Sequence, residues 1–206
     1  MPDPIVRESP LVRFGLRERA TKAPGNAGIL ARERAFLGHL NLRGDSGDPR
    51  FVAAVEGVLG VTLPVAPNTV SETRPTVAYW LGPDEWLIVT SNRRRAVFEE
   101  ELRKALAGVR SAVTDVSGGQ TVVVLRGSPV YDLLAKGCPL DLHPKVFDLG
   151  QCAQSHLAKA PVLLRLLDRE PSFEIVVRRS FADYLWLWIE DAAAEYGLAI
   201  VAGSAA

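Results

Sequence analysis

The fold of this 206-residue chain is most constrained by an order of predicted elements that occurs twice. Each half reads strand, helix, strand, strand, helix. The first helix of both halves begins with a polar capping residue and a proline at the first helical position, Asp48-Pro49 in one half and Ser128-Pro129 in the other. Sequence identity between the halves is slight, so the parallel rests on element order. We predict an α+β protein of two similar sheet-and-helix halves, each an antiparallel sheet covered by helices on one face.

The middle of the first half predicts a β-hairpin. The stretches TVAYW (76–80) and WLIVT (86–90) are rich in β-branched and aromatic residues and flank a Gly-Pro-Asp turn. Their apolar residues do not alternate with polar ones, so we expect both faces of this sheet to be covered. Residues 91–108 then predict a helix with one apolar stripe and i,i+4 ion pairs on its solvated side.

Three sequence regions follow from these patterns. Residues 1–35 predict an N-terminal arm of weak periodicity that lies along the surface, with one strand around Arg32 to Leu40. Residues 36–110 form the first α+β half and residues 111–206 the second. In the second half, one strand with a bulge at Gly118-Gly119 and a final helix running from Ser180 to Gly197 are predicted.

Charge and composition argue against several classes of partner. Lys plus Arg equals Asp plus Glu at 24 each, so no net field draws the chain to nucleic acid or to an anionic membrane. The chain has neither a signal-like apolar stretch near its start nor an apolar run long enough to span a bilayer. A cytoplasmic protein is expected, with Cys138 and Cys152 as reduced thiols.

The final predicted helix is unusually aromatic. At about 100° per residue, one broad face is assigned to the core and comprises Phe181, Tyr184, Leu185, Trp188, Ile189, Ala192 and Tyr196. Trp186 and Leu187 fall on the far side, where an isolated domain would expose them. Either the N-terminal arm or the other half covers Trp186, or this side is a docking site for another protein. On the second interpretation, Trp80 and Trp86 of the hairpin belong to the same partner interface.

The sequence contains few side chains that could act in catalysis. Of the three histidines, His156 lies four residues after Cys152 on a predicted strand, about 13 Å away along the backbone. A cysteine–histidine nucleophile pair is therefore not expected. His143 has only Asp141 nearby and does not suggest a metal site. No catalytic, cofactor-binding or metal-binding residue is predicted from local motifs, and most of the sequence suits packing and surfaces.

Several long segments, taken together, resemble one family. They are NLRGD from residue 41, LPVAPNT from 63, WLGPDEWLIV from 80, TDVSGGQTVV from 114, KGCPLDLHPKVF from 136, GQCAQSHLAKAPVLL from 150 and VRRSFADYLWLWIEDAAAEYG from 177. In this order they closely resemble the gamma subunit of heterotetrameric sarcosine oxidase. The resemblance covers most of the chain from Asn41 onward.

This resemblance implies the fold of the folate-binding domain of the glycine-cleavage T-protein. It also implies a complex that oxidatively demethylates sarcosine to glycine, passes electrons to oxygen to give hydrogen peroxide, and transfers the methyl carbon to tetrahydrofolate. The FAD, FMN, NAD and zinc of such a complex reside in or between other subunits. The gamma chain is then expected to be non-catalytic, to contact mainly the alpha subunit, and to assemble with beta and delta. Assigning Trp186, Leu187, Trp80 and Trp86 to that interface is a hypothesis of ours.

Two alternatives stay open from the sequence. One is a free-standing folate-binding protein or one-carbon transferase that uses the cleft between the halves, for which Asp115 beside Gly118-Gly119 is the candidate carboxylate. The other is the equivalent subunit of a complex that acts on a different N-methylated amino acid, such as N-methylglutamate or dimethylglycine. Residues that contact the substrate would then lie in another chain.

Overall fold

Two β-sheets lie face to face in the computed structural model, which describes residues 7–21 and 25–202. The strands are β1 (Ile29–Glu33), β2 (Gly38–Gly44), β3 (Val70–Thr73), β4 (Thr76–Gly82), β5 (Glu85–Thr90), β6 (Ser111–Asp115), β7 (Gln120–Arg126), β8 (Cys152–Leu157), β9 (Ala160–Asp168), β10 (Ser172–Arg178) and β11 (Leu198–Ile200). The α-helices are α1 (Leu16–Arg19), α2 (Pro49–Leu59), α3 (Asn92–Ala105), α4 (Val130–Ala135) and α5 (Arg179–Ala192).

The predicted α+β class is confirmed. Sheet I has six strands in the order β11-β1-β7-β10-β9-β8, and sheet II has five in the order β3-β4-β5-β2-β6. Neighbouring strands are antiparallel, with the exception of the parallel pair β1 and β11. Helices α4 and α5 pack on the outer face of sheet I, and α2 and α3 on the outer face of sheet II. A third apolar cluster lies between the sheets.

The two sheets exchange strands between the sequence halves. The strand predicted around Arg32 to Leu40 is in fact two strands, because the chain turns at Phe36, whose φ is 63°. Of these, β1 pairs with β7 in sheet I and β2 pairs with β5 and β6 in sheet II. The predicted boundary at residue 110 therefore does not separate the sheets, because β6 lies beyond it and yet belongs to sheet II.

The Gly118-Gly119 prediction is also corrected. These glycines belong to a 3-10 turn at Ser117–Gly119, between β6 and β7. The turn carries the chain from sheet II to sheet I, so it is a crossing between sheets rather than a bulge within one strand. A local pattern cannot distinguish these two uses of a glycine pair, because glycine is common in turns as well as in bulges.

Helix starts agree with the sequence in one half and differ in the other. The Asp48 side chain accepts a hydrogen bond from the Arg50 amide at 2.9 Å, and Pro49 is the first helical residue, as predicted. In α4, by contrast, Pro129 itself is the capping residue, and Ser128 lies outside the helix. The apolar residues of α2 that face sheet II are Phe51, Val55 and Leu59.

The aromatic helix α5 is rotated relative to the prediction. Its buried residues are Ala182, Leu185, Trp186, Ile189 and Ala192. Trp186 is 0% exposed, whereas Tyr184, which was assigned to the core, is 38% exposed. The reason is tertiary, because Leu11 and Phe14 of the N-terminal region pack with Trp186 in the core of sheet I.

Among the described residues, no helix combines the length and apolar character needed to cross a bilayer.

Candidate functional site

A groove with a volume of about 880 Å³ opens between the two sheets. Its walls include Leu87 of sheet II and Leu163 and Val176 of sheet I. The amide of Asn41 donates to the Glu85 carboxylate at 2.7 Å across the sheet II side of the groove. A groove of this size with apolar walls and a few polar groups has the general character of a small-molecule pocket.

The polar groups of the sheet I side are mostly engaged. Gln154 donates to the Leu81 carbonyl oxygen at 2.8 Å, which bridges the two sheets. The Oε1 atom of Gln120 is buried and makes no hydrogen bond within the described part of the chain. The ionisable side chains that line the groove are Glu85, His156 and Arg178, and the Glu85 carboxylate is already bonded to Asn41 and Arg43. The geometry alone therefore assigns no reaction to the groove.

Asp115, the candidate folate carboxylate, is used by the chain itself. One of its oxygens accepts from the Ser117 amide at 3.0 Å, and the other accepts from the Arg95 guanidinium at 2.7 Å. Partial burial opposes ionisation of Asp115, but the hydrogen bonds from Ser117 and the charge of Arg95 outweigh it and lower the pKa. The carboxylate therefore anchors the turn between the sheets to helix α3.

A largely buried network of ionisable side chains lies between the sheets. Both oxygens of Glu174 are occupied: one accepts from Tyr79 and from the Arg165 Nε at 2.9 Å, and the other from Arg34. Arg165 also donates to Glu72 at 2.6 Å. Glu174 and Arg165 belong to sheet I, whereas Tyr79 and Glu72 belong to sheet II. The network therefore ties the two sheets together.

The electrostatics of this network have a clear physical origin. Burial alone would raise the pKa of Glu174, but the adjacent Arg165 and Arg34 lower it. Burial and the Glu174 charge together raise the pKa of Tyr79 well above its usual value. None of these residues is predicted as functional from the sequence. The available signal was Glu174 within the otherwise apolar strand SFEIVV, where a lone carboxylate requires a buried partner.

The Cys152 and His156 side chains are not a catalytic pair. Cys152 is buried, its thiol donates to the Thr69 carbonyl oxygen at 3.3 Å, and burial raises its pKa to about 11. His156, on the same strand, is exposed. Cys138 is likewise a buried free thiol, as predicted. Across residues 7–21 and 25–202, no group of three or more His, Cys, Asp or Glu side chains is placed to hold a metal ion.

The four residues assigned to a partner interface lie in different environments. Trp186 and Trp86 are both 0% exposed, so their predicted surface role is corrected: each fills the chain's own core. The Trp86 indole donates to the Pro64 carbonyl oxygen at 2.7 Å and lies 5.7 Å from the Phe51 ring centre. Trp80 is partly buried beside the same core. Leu187 is 50% exposed and remains available to a partner.

Two adjacent loops add exposed apolar side chains that no sequence pattern predicts. The loops 61–69 and 139–151 meet through backbone hydrogen bonds from Val70 to Gly150 and from Cys152 to Asn68, both 2.9 Å long. Together they expose Val65, Leu140, Val146 and Leu149. We call these four residues the loop patch. Irregular segments have no periodicity from which outward-facing positions could be identified.

Comparison with known proteins gives a near full-length match. Residues 43–195 match the model of the "Sarcosine oxidase, gamma subunit family". The sarcosine oxidase subunit gamma of Corynebacterium sp. (strain U-96) is 33% identical over 198 residues, which are 96% of this chain and 95% of that protein. The corresponding subunit from Arthrobacter sp. is 31% identical over 188 residues, 91% of each chain.

Solved structures extend the match to the fold. A chain of the heterotetrameric sarcosine oxidase from Corynebacterium sp. U-96 superposes with a TM-score of 0.83 and 32% identity, covering 97% of this chain and 99% of that one. Aminomethyltransferase T of the Bartonella henselae glycine cleavage system has a TM-score of 0.68 at 13% identity, covering 96% of this chain and 60% of that one. The second likeness concerns the fold alone.

Proposed function

This chain belongs to the sarcosine oxidase gamma subunit family, and we propose that it is the non-catalytic gamma subunit of a heterotetrameric sarcosine oxidase. The complex would oxidatively demethylate sarcosine to glycine and form hydrogen peroxide and methylene-tetrahydrofolate. FAD, FMN, NAD, zinc and tetrahydrofolate would be bound by or between the other subunits. The observation that carries the proposal is the superposition of nearly the whole chain on one chain of a heterotetrameric sarcosine oxidase.

The ionisable side chains with shifted pKa values are bonded to neighbours within the chain, and this supports a non-catalytic role for the subunit. Glu174, Arg165 and Asp115 all have shifted pKa values, and each has its charged atoms bonded to neighbours in the same chain. Such groups stabilise the packing of the sheets and are not poised to exchange protons with a substrate. The chemistry of the complex is then expected to take place in other subunits.

Exposed apolar side chains supply a surface for assembly. We assign the contact with the alpha subunit to Leu187, to the exposed part of Trp80 and to the loop patch, with beta and delta as further partners in the same cytoplasmic complex. Burying one leucine side chain contributes about 1.5–3 kcal/mol, and several such contacts together offset the cost of association. Trp186 and Trp86 would support this surface from beneath, since both are core residues.

The test is reconstitution with and without this chain. The alpha, beta and delta subunits of the proposed complex are co-expressed with and without the chain, and light scattering and sarcosine-dependent peroxide formation are measured. We expect a flavin-containing complex of four subunits whose assembly or activity fails when the chain is omitted. Full assembly and activity without the chain would contradict the proposal.

Two further arms of this experiment address the alternatives. If N-methylglutamate or dimethylglycine replaces sarcosine as the preferred substrate, the chain is the equivalent subunit of a different complex. If the isolated chain binds tetrahydrofolate tightly and ignores the other subunits, it is a free-standing folate-binding protein. The second outcome is not expected, because both oxygens of the candidate carboxylate Asp115 are bonded to Ser117 and Arg95.

A further inference from the structure

Three of the four sheet edges are protected by the chain itself. The edge strands are β11 and β8 in sheet I and β3 and β6 in sheet II. At β6, the Arg103 guanidinium donates to the Val113 carbonyl oxygen at 2.6 Å. At β11, the Thr21 amide donates to the Ile200 carbonyl oxygen at 2.9 Å. Strand β3 is short and is followed directly by Arg74-Pro75, and short length, charge and proline all discourage pairing of an edge with another chain.

The edge of β8 is covered at its two ends. The Cys152 amide donates to the Asn68 carbonyl oxygen, and the Ala158 amide donates to the Gly137 carbonyl oxygen, both at 2.9 Å. Neither acceptor belongs to β9, the strand that pairs with β8 on its other side. Both amides therefore point to the outer side of β8, and loop segments occupy the outer edge before and after its middle part.

The middle of this edge is open. Alternate residues of a strand direct their N–H and C=O groups to the same side, so Gln154 and His156 direct theirs outward, as Cys152 does. Both residues are exposed. Within the part of the chain that the structure describes, no other backbone group bonds to the outward N–H and C=O groups of these two residues. The edge of β8 thus offers two donors and two acceptors to a further strand.

Exposed apolar side chains flank the open edge. Val65 lies three residues before Asn68, at one end of the edge, and Leu140 lies three residues after Gly137, at the other end. Three residues span at most about 10 Å, so both side chains are within reach of a chain laid along β8. They belong to the loop patch, for which contact with the alpha subunit is proposed above. The open edge is therefore continuous with that proposed contact surface.

We propose that an extended segment of the alpha subunit adds a strand to sheet I beside β8 and pairs with the backbone of Gln154 and His156. This inference rests on the proposed function, because its occupant is a subunit of that complex. The N–H and C=O groups of an extended segment are the natural complement of an open edge. Because side chains alternate between the two faces of a strand, the segment is expected to place polar side chains beside Gln154 and His156 and apolar ones on the face of the sheet I core.

The first test is residue-resolved amide hydrogen exchange, measured by mass spectrometry on the full chain alone and in the reconstituted complex. In the free chain, the outward amides of Gln154 and His156 should exchange quickly, whereas the Ser155 amide, which faces β9, should be protected. In the complex, the two fast amides should slow by about tenfold or more, as for one hydrogen bond gained by each. Equally fast exchange of both amides in the free chain and in the complex overturns the proposal.

A matched pair of substitutions isolates the backbone contribution. His156→Pro removes the outward amide hydrogen, and proline is compatible with an edge strand whose N–H faces outward. His156→Ala removes the same imidazole and keeps the amide. We expect His156→Pro to weaken association with the alpha subunit by about tenfold or more, and His156→Ala to associate as the unsubstituted chain does. Urea unfolding of the free variants checks that both are folded, and equal association of the two variants contradicts strand addition.

The possible outcomes separate this inference from the proposed function. If the complex requires the chain for assembly while the two amides stay fast, the chain is a gamma subunit and strand addition at β8 is wrong. If the unsubstituted chain joins no complex, both proposals are wrong. If the free chain forms a dimer by light scattering and protects the same two amides, a second copy occupies the edge and the assignment to the alpha subunit is overturned.

Discussion

The Phe14 ring packs on the Trp186 indole, with ring centres 6.3 Å apart and planes inclined by 46°. This contact explains why a helix with aromatic residues on several faces is stable in a single chain. The N-terminal region supplies a second layer of apolar contacts over α5, and Leu11 beside it is buried. The aromatic surface of the helix is thus largely internal to the protein.

Removing that cover should destabilise the chain. Phe14→Ala is expected to lower the free energy of unfolding by about 1–3 kcal/mol, below the range for a fully buried phenylalanine because Phe14 is only partly buried. Trp186 would then contact water, and tryptophan fluorescence should shift to longer wavelength. Val12→Ala, at a side chain that is 57% exposed, is the control and should change neither quantity appreciably. If Phe14→Ala changed the free energy of unfolding as little as Val12→Ala does, the contact of Phe14 with Trp186 would not stabilise the protein.

Replacing a buried carboxylate should lower the free energy of unfolding more than replacing an exposed one. Glu174→Gln leaves the buried Arg165 and the half-buried Arg34 without their shared anionic partner. We expect a loss of about 3–5 kcal/mol in the free energy of unfolding, measured by urea denaturation. Glu170→Gln, which breaks an exposed ion pair with Arg126, should have little effect. Similar small effects of both substitutions would mean that the network does not tie the sheets together.

The buried His39 should make the protein sensitive to acid. It lies on β2, is 1% exposed, and neither ring nitrogen has a hydrogen-bond partner within the described residues. Burial lowers its pKa to about 4, and the nearby Leu37 backbone and the Glu174 and Asp115 charges oppose this without cancelling it. Its folded pKa is below the unfolded value of about 6.5, so stability is lost as pH falls from about 6.5 to about 4.

The measurement compares urea unfolding at pH 7.5 and at pH 4.5. His39 accounts for about 2–3 kcal/mol of the loss between these values, because the unfolded state binds a proton that the folded state excludes. His39→Phe should reduce the pH dependence by that amount, whereas His156→Phe, at an exposed position, should leave it almost unchanged. Identical pH dependence in the His39 variant and the unsubstituted chain would contradict the assignment.

Two glycines should respond to alanine in opposite directions. A Cβ atom at Gly137 would lie 2.6 Å from Cζ2 of Trp188 and 3.0 Å from the Ala158 amide, so Gly137→Ala is expected to cost about 1–3 kcal/mol. A Cβ atom at Gly57, within α2, meets nothing within 4 Å. Gly57→Ala should therefore raise the free energy of unfolding by about 0.5–1 kcal/mol through its effect on helix formation. Thermal denaturation of both variants gives the comparison.

The exposed Leu187 should matter for assembly and not for folding. Leu187→Asp is expected to weaken association with the other subunits by about tenfold or more, because it puts a charge where an apolar contact is proposed. The isolated variant should unfold at the same denaturant concentration as the unsubstituted chain. Val97→Asp, which alters an equally exposed apolar residue on α3, is the control. Co-purification with tagged alpha subunit measures the effect, and equal recovery of both variants would remove Leu187 from the interface.

The sequence by itself determined the α+β class, the hairpin of β4 and β5, and helix α2 from its Asp48-Pro49 start. These depend on interactions within a few residues, such as caps, turns and apolar spacing, which any chain segment carries with it. The segments that resemble the sarcosine oxidase gamma subunit family could also be recognised without a structure, because the resemblance lies in the amino-acid sequence alone.

Only the tertiary structure decided which segments meet. It placed β1 beside β7, moved β6 into sheet II, and brought Phe14 over Trp186. The buried network between the sheets likewise joins Glu72 and Tyr79 to Arg165 and Glu174, which lie far apart in the sequence. Such pairings depend on which distant apolar faces can be buried together at the lowest conformational cost, and no local pattern of residues encodes that balance.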